Sequence, residues 1–162
     1  MWRRNMLTLL GAGMLAVVSA CSDDTGPEPE RFTAALNGVN ERPNPVTTTA
    51  TGTATFTVRG STVDFTITAS NLSDATAAHI HGPASASQST GVLVTLFSQA
   101  PPGVDITSGT LSSGAFPSGS YTLATGITLD SVLVLLRNGQ AYVNVHNVAN
   151  PAGHIRGQLA EN

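Results

Sequence analysis

Two short runs, His79-Ile80-His81-Gly82 and Tyr142-Val143-Asn144-Val145-His146, hold three of the four histidines in this 162-residue chain. Side chains two apart in a strand share a face. His79 and His81 therefore point one way and Ile80 the other, while Tyr142, Asn144 and His146 oppose Val143 and Val145. Strand rise sets the Cα atoms of His79 and His81 about 6.6 Å apart. Two imidazoles at that spacing converge on one ion at about 2.0 Å each. His146 has the matching parity on its own strand, and His154, Arg156 and Gln158 share the outward parity of the last one. Three or four imidazole nitrogens suit copper or zinc. The candidate ligands are thus His79, His81 and His146, with His154 the weakest member, and Arg156 is placed to pair an anion or a local structural partner. The competing reading is a plain polar cluster on a solvated sheet face. The two separate on whether the strands near 77–81 and 141–148 are neighbours.

Other chemistries find no support. No serine sits in a Gly-x-Ser-x-Gly elbow. Glu41 and Asp64 form no evident carboxylate pair. No glycine-rich loop joins a strand to a helix, which excludes nucleotide binding of the usual kind. Residues 31–162 carry five arginines (31, 42, 59, 137, 156) and six acids (41, 64, 74, 105, 130, 161), a net −1, and the chain has no lysine. A nearly neutral domain without a basic patch is not a nucleic-acid binder.

The ends give an address. Arg3 and Arg4 precede an apolar stretch over 6–18, followed by Ser19-Ala20 and then Cys21. This reads as a secretory signal over 1–20, too short to span a bilayer comfortably. Val18-Ser19-Ala20-Cys21 resembles the bacterial lipobox, in which the cysteine is lipidated and becomes the new N-terminus. Cys21 is the only cysteine, so no disulfide is available and the fold must rest on its core. Residues 21–30 read as a lipidated cysteine followed by an acidic, unstructured tether, in which Asp23, Asp24, Glu28 and Glu30 give −4. The nine residues 22–30 reach about 30 Å when stretched. The expectation is an exported protein of the bacterial envelope, held through its lipid at the outer membrane.

The elements that must position the histidines are mostly strands. Residues 53–58 and 63–69 alternate strictly and are joined by Arg59-Gly60-Ser61, which predicts a hairpin with Ala54, Phe56, Val58, Val63, Phe65 and Ile67 on one face. Further strands are expected over 32–36, 77–81, 92–97, 104–111, 141–148 and 154–159, with a Gly/Ser loop over 112–120. Leu129, Val132, Leu133 and Leu136 fall at helical spacing, with Thr128 as cap and Asn138-Gly139 as stop. The rival there is a buried strand over 132–136. The fold class is all-β: an antiparallel β-sandwich or partly open Greek-key barrel with one short helix.

Residues 31–162 resemble the CHRD domain, the module named after chordin. The matching pieces, in order, include Asn40-Glu41-Arg42-Pro43, Ala78-His79-Ile80-His81-Gly82, Leu136-Arg137-Asn138-Gly139, Ala141-Tyr142-Val143-Asn144-Val145-His146-Asn147 and Gly153-His154-Ile155-Arg156-Gly157-Gln158. The family usually has an acid where His154 stands. The resemblance implies an extracytoplasmic β-module with an architecture similar to that of Cu/Zn superoxide dismutases or immunoglobulin-like sandwiches. By the dismutase analogy His79, His81 and His146 would be copper ligands, although a second cluster for zinc is missing. The reading these features favour is a lipid-anchored, non-catalytic binding or structural module. Its partners are the membrane and an envelope or extracellular ligand, and copper or zinc is its candidate metal. The alternatives are a dismutase-type copper redox enzyme, with Arg156 guiding the anion, and an adhesion or matrix module using threonine-rich faces.

Overall fold

A computed structural model describes residues 28–162. The predicted signal (1–20), the lipidation site Cys21 and residues 22–27 of the tether lie outside the described residues. The chain forms β1 (Arg31–Asn37), a 3-10 turn (Gly38–Asn40), β2 (Thr51–Arg59), β3 (Thr62–His81), β4 (Val92–Ser98), β5 (Val104–Phe116), α1 (Leu129–Arg137), β6 (Tyr142–Asn147), β7 (Ile155–Gln158) and β8 (Ala160–Glu161). The fold is all-β with one short helix, as the alternating patterns predict. Among the described residues no helix is long and apolar enough to cross a membrane.

Antiparallel pairings β1–β2, β2–β3, β3–β6 and β6–β7 run round a five-stranded barrel, which β7 closes onto β1 through Asn37 and Arg156. β4 and β5 lie outside this ring, each paired to β3, and β8 pairs β1. The closed ring removes most strand edges. The 53–69 hairpin forms with the expected shared face: Phe56 stands opposite Phe65 and Ala54 opposite Ile67, and Gly60 takes φ 57 in a turn of two residues, since Arg59 already pairs with Thr62. Phe56, Phe65 and Phe116 pack with ring centroids 6.2 to 6.3 Å apart, and Tyr121 sits edge-on over Phe65 at 4.8 Å. Burying one such ring contributes roughly 1.5–3 kcal/mol, so this cluster ties β5 to the β2–β3 hairpin.

α1 forms rather than the rival strand. Thr128 and Ser131 make reciprocal capping hydrogen bonds, Asp130 and Arg137 complement the helix dipole, and Val132, Leu133 and Leu136 are buried. Arg137 also donates to both carboxylate oxygens of Glu30, at 2.6 and 2.7 Å, where the described chain enters the domain.

Two expectations change. The strands predicted separately over 63–69 and 77–81 are one continuous element, the 20-residue β3. Asn71 (φ 54) and Asp74 (φ 51) adopt left-handed backbone inside it, and the ladder shifts register between Leu72 and Ala75. Short polar side chains tolerate that conformation, so a segment that reads as a break is a bend. Before it β3 pairs with β2 and β5, and after it with β6 and β4, with the β5 ladder running on as far as Ala75. Similarly, residues 112–116 continue β5 instead of looping, because they pair with 63–67 of β3. The bend generates a test: Asn71→Gly should leave stability unchanged or slightly raised, whereas Asn71→Val, β-branched at positive φ, should cost about 1–2 kcal/mol. Urea unfolding of both variants reads the difference, and equal midpoints would contradict a strained site.

Candidate metal centre

β3 and β6 are neighbours. Ala77 stands opposite His146, His79 opposite Asn144 and His81 opposite Tyr142. The odd-numbered residues of 77–81 and the even-numbered residues of 142–146 therefore share the barrel's outer face, while Ile80, Val143 and Val145 are fully buried in the core. The nitrogens that His79, His81 and His146 offer all lie within 4.8 Å of one another. Around an ion at about 2.0–2.1 Å from each, tetrahedral geometry needs nitrogens about 3.4 Å apart. Side-chain motion of about an ångström would close the set.

This outer face is not solvated. β6 is buried along its whole length, His81 is 7% and His146 8% exposed, and only His79 is half-buried. Loops from both sides cover the face and their carbonyls address the rings. His81 Nδ1 lies 2.9 Å from the Thr90 carbonyl, and His146 Nδ1 lies 3.1 Å from the Pro151 carbonyl. A carbonyl only accepts, so both Nδ1 atoms carry the proton and both Nε2 atoms present a lone pair. His81 Nε2 is buried and has no hydrogen-bond partner. His146 Nε2 faces His79 Nδ1 at 3.1 Å, so His79 donates there. Moving that proton to its other nitrogen frees the His79 Nδ1 lone pair without net proton loss.

The other predicted residues are placed differently. His154 does not join the group: its Nδ1 accepts from Asn150 Nδ2 at 2.9 Å and its Nε2 meets Thr48 Oγ1 at 3.2 Å. Arg156, outward by parity, is 1% exposed, because the 82–91 loop folds over it and accepts its hydrogen bonds. Two residues without a role in the sequence reading also belong to this face. Tyr142 stacks on His81, with centroids 4.9 Å apart and planes 4° apart. Glu41 is 3% exposed and accepts from Asn144 Nδ2 at 3.3 Å; Gly153 leaves room for both, since a Cβ there would lie 2.5 Å from each of those atoms. The shared parity of Tyr142, Asn144 and His146 was the available signal. The role of Glu41 had none, because it arrives from a loop.

Burial dominates the electrostatics. It lowers the pKa of all four histidines, and with the neighbouring His146 and His81 it brings His79 to about 4. Burial raises Glu41 to about 7, against the opposing pull of Arg156. The unfolded chain takes a proton at His79 near 6.5 that the folded domain refuses until about 4. Stability of the metal-free domain is therefore lost as pH falls across that interval. Glu41 has the opposite sign: its contribution is present below 4.5 and lost as pH rises through about 7. The urea midpoint of the metal-free domain should drop from about pH 7 to about pH 5. His79→Gln should flatten that drop and Glu41→Gln should steepen it; an unaltered slope in both variants would rule the assignment out.

The comparisons agree with the geometry at the level of family. The CHRD domain model matches residues 32–159, which contain the barrel except for Arg31 at the start of β1, all three clustered histidines and Arg156. No curated protein and no solved structure matches the chain. The match covers most of the sequence, and the chain belongs to the CHRD domain family.

Proposed function

We propose that this CHRD domain is a metal-binding module that captures copper or zinc through His79, His81 and His146. The observation that carries the reading is the tautomer pattern. Two backbone carbonyls hold His81 and His146 with their Nε2 lone pairs free of protons: His81 Nε2 is buried without a partner, and His146 Nε2 meets only His79 Nδ1 at 3.1 Å. Leaving a buried acceptor unmade costs about 1–3 kcal/mol, and an ion bound by all three rings would satisfy it. Carbonyls that orient histidine in this way are the usual outer shell of a metal ligand. The donor set is three borderline nitrogens, without thiolate or carboxylate, which favours copper or zinc over calcium or magnesium. Because burial keeps the rings neutral, protons do not compete for them near pH 7. The reading is capture or storage rather than turnover.

The test is elemental analysis of residues 22–162, produced without a tag and exposed to micromolar copper or zinc. One equivalent of metal should be retained. His79→Ala/His81→Ala should abolish stoichiometric retention, whereas His154→Ala should not. Absence of metal in the unaltered domain would leave a purely structural polar cluster, and superoxide turnover by the copper-loaded form would replace storage with catalysis.

The sequence supports export and lipid anchoring at Cys21, and the proposed place of capture is the bacterial envelope, at the outer membrane. Growth with a labelled fatty acid should label the full chain and not Cys21→Ser, which should be recovered as a soluble exported or unprocessed protein. A membrane-bound, unlabelled wild type would count against the anchor.

A further inference from the structure

We infer that Arg156 is a positioning residue that holds His81 with its Nε2 bare. The inference builds on the metal-binding reading above, but its first observable needs no metal.

Arg156 is among the largest fully buried side chains of the domain. Its Nη2 donates to the Gln88 carbonyl at 2.6 Å and the Ser85 carbonyl at 3.3 Å, and its Nη1 donates to Ser89 Oγ at 3.2 Å. The guanidinium carbon lies 3.5 Å from the centroid of the Tyr142 ring. All three of its hydrogen bonds thus go to one loop and its flat face to one ring. A fully buried guanidinium with these partners is not presented to an anion in solvent.

Two routes lead from this clamp to the same imidazole. The first is stacking: β6 lies between β3 and β7, and the Tyr142 ring, held by Arg156, stacks on His81. The second is the loop. Arg156 ties down 85–89, and the next residue, Thr90, donates its N–H to Tyr142 Oη at 3.2 Å and offers its carbonyl to His81 Nδ1 at 2.9 Å. The stack sets the plane of the His81 ring, and the carbonyl sets which nitrogen carries the proton. Apart from the clamp, the segment is tied at its ends, by Gln158 to the Ala84 carbonyl at 2.9 Å, by the Ala84 N–H to the Gln140 carbonyl at 2.9 Å and by Ser89 Oγ to the Arg42 carbonyl at 3.0 Å, so Arg156 alone holds the carbonyls of 85 and 88 to β7. A lysine would preserve the charge and fail here, because only a planar fork reaches diverging acceptors while stacking on an aromatic ring.

The experiment is histidine ring 15N NMR on the metal-free domain, followed by competition for zinc against a chelator. In the unaltered domain His81 should show one tautomer, protonated at Nδ1. In Arg156→Gln and Arg156→Lys it should become a mixture, and zinc affinity should fall about 10- to 100-fold. A folded Arg156 variant in which His81 keeps its single tautomer overturns the inference. If His81 shifts but the unaltered domain takes up no zinc or copper, the positioning role stands and the metal-binding reading fails, so the two are separable. Should neither Arg156 variant fold, Tyr142→Leu, which removes the ring between Arg156 and His81, decides: a mixed His81 tautomer supports the clamp, and an unchanged single tautomer overturns it.

Discussion

The register between β3 and β6 is the constraint on which the rest of this domain depends. With Ala77 opposite His146 and Ile80 opposite Val143, Ala78, Ile80, Val143 and Val145 enter the barrel and the three imidazoles leave it. A slip of one residue in either strand would drive histidine into the core and valine out of it. The apolar side enforces the pairing: Ile80, Val143 and Val145 are fully buried, and each is worth roughly 1.5–3 kcal/mol of transfer free energy. The core thereby fixes the geometry of a polar cluster with which it shares no chemistry.

What lies on the far side of that pairing is unusual for a small barrel. The outer face of β6 and β7 is not left to water but is roofed by loops, which bury Glu41, Asn144, His81, His146 and Arg156. Buried polar groups are tolerated only when partnered. Most of these find backbone carbonyls or each other, and the atoms left over are informative: Glu41 Oε1, Asn144 Oδ1, His81 Nε2 and, on β7, Gln158 Oε1 have no partner. The first two belong to the contact between the 41–50 loop and β6. The third faces the other two histidines, where an unmade bond has a chemical use.

The roof also makes the site specific in a way that a solvated histidine pair would not be. Carbonyls of Thr90 and Pro151, one from each flanking loop, set the tautomers of His81 and His146. The loop that carries Thr90 is fastened from beneath by β7, through Arg156 and Gln158. Orientation of His81 is thus built from the barrel upward: strand pairing places the ring, and side chains from a third strand hold the loop whose Thr90 carbonyl fixes its proton. CHRD membership describes this scaffold, whereas any activity resides in the side chains arranged upon it.

The chain by itself determined the all-β class, the hairpin over 53–69, the helix near 129–137, and the side of its strand on which each histidine falls. Those follow from periodicity, turn residues and capping, which act over a few residues. It did not reveal that Asn71 and Asp74 bend one strand rather than separate two, because the compensating ladder bonds come from β5 and β6, distant in sequence. Nor did it reveal that Arg156 is buried or that Glu41 meets Asn144, since both depend on loops folding back over 68 and 103 residues of chain. Parity is local and was readable. Which strands lie side by side, and what covers the face they form, is decided by packing between distant segments, and the meeting of His79 and His81 with His146 belongs to that second kind.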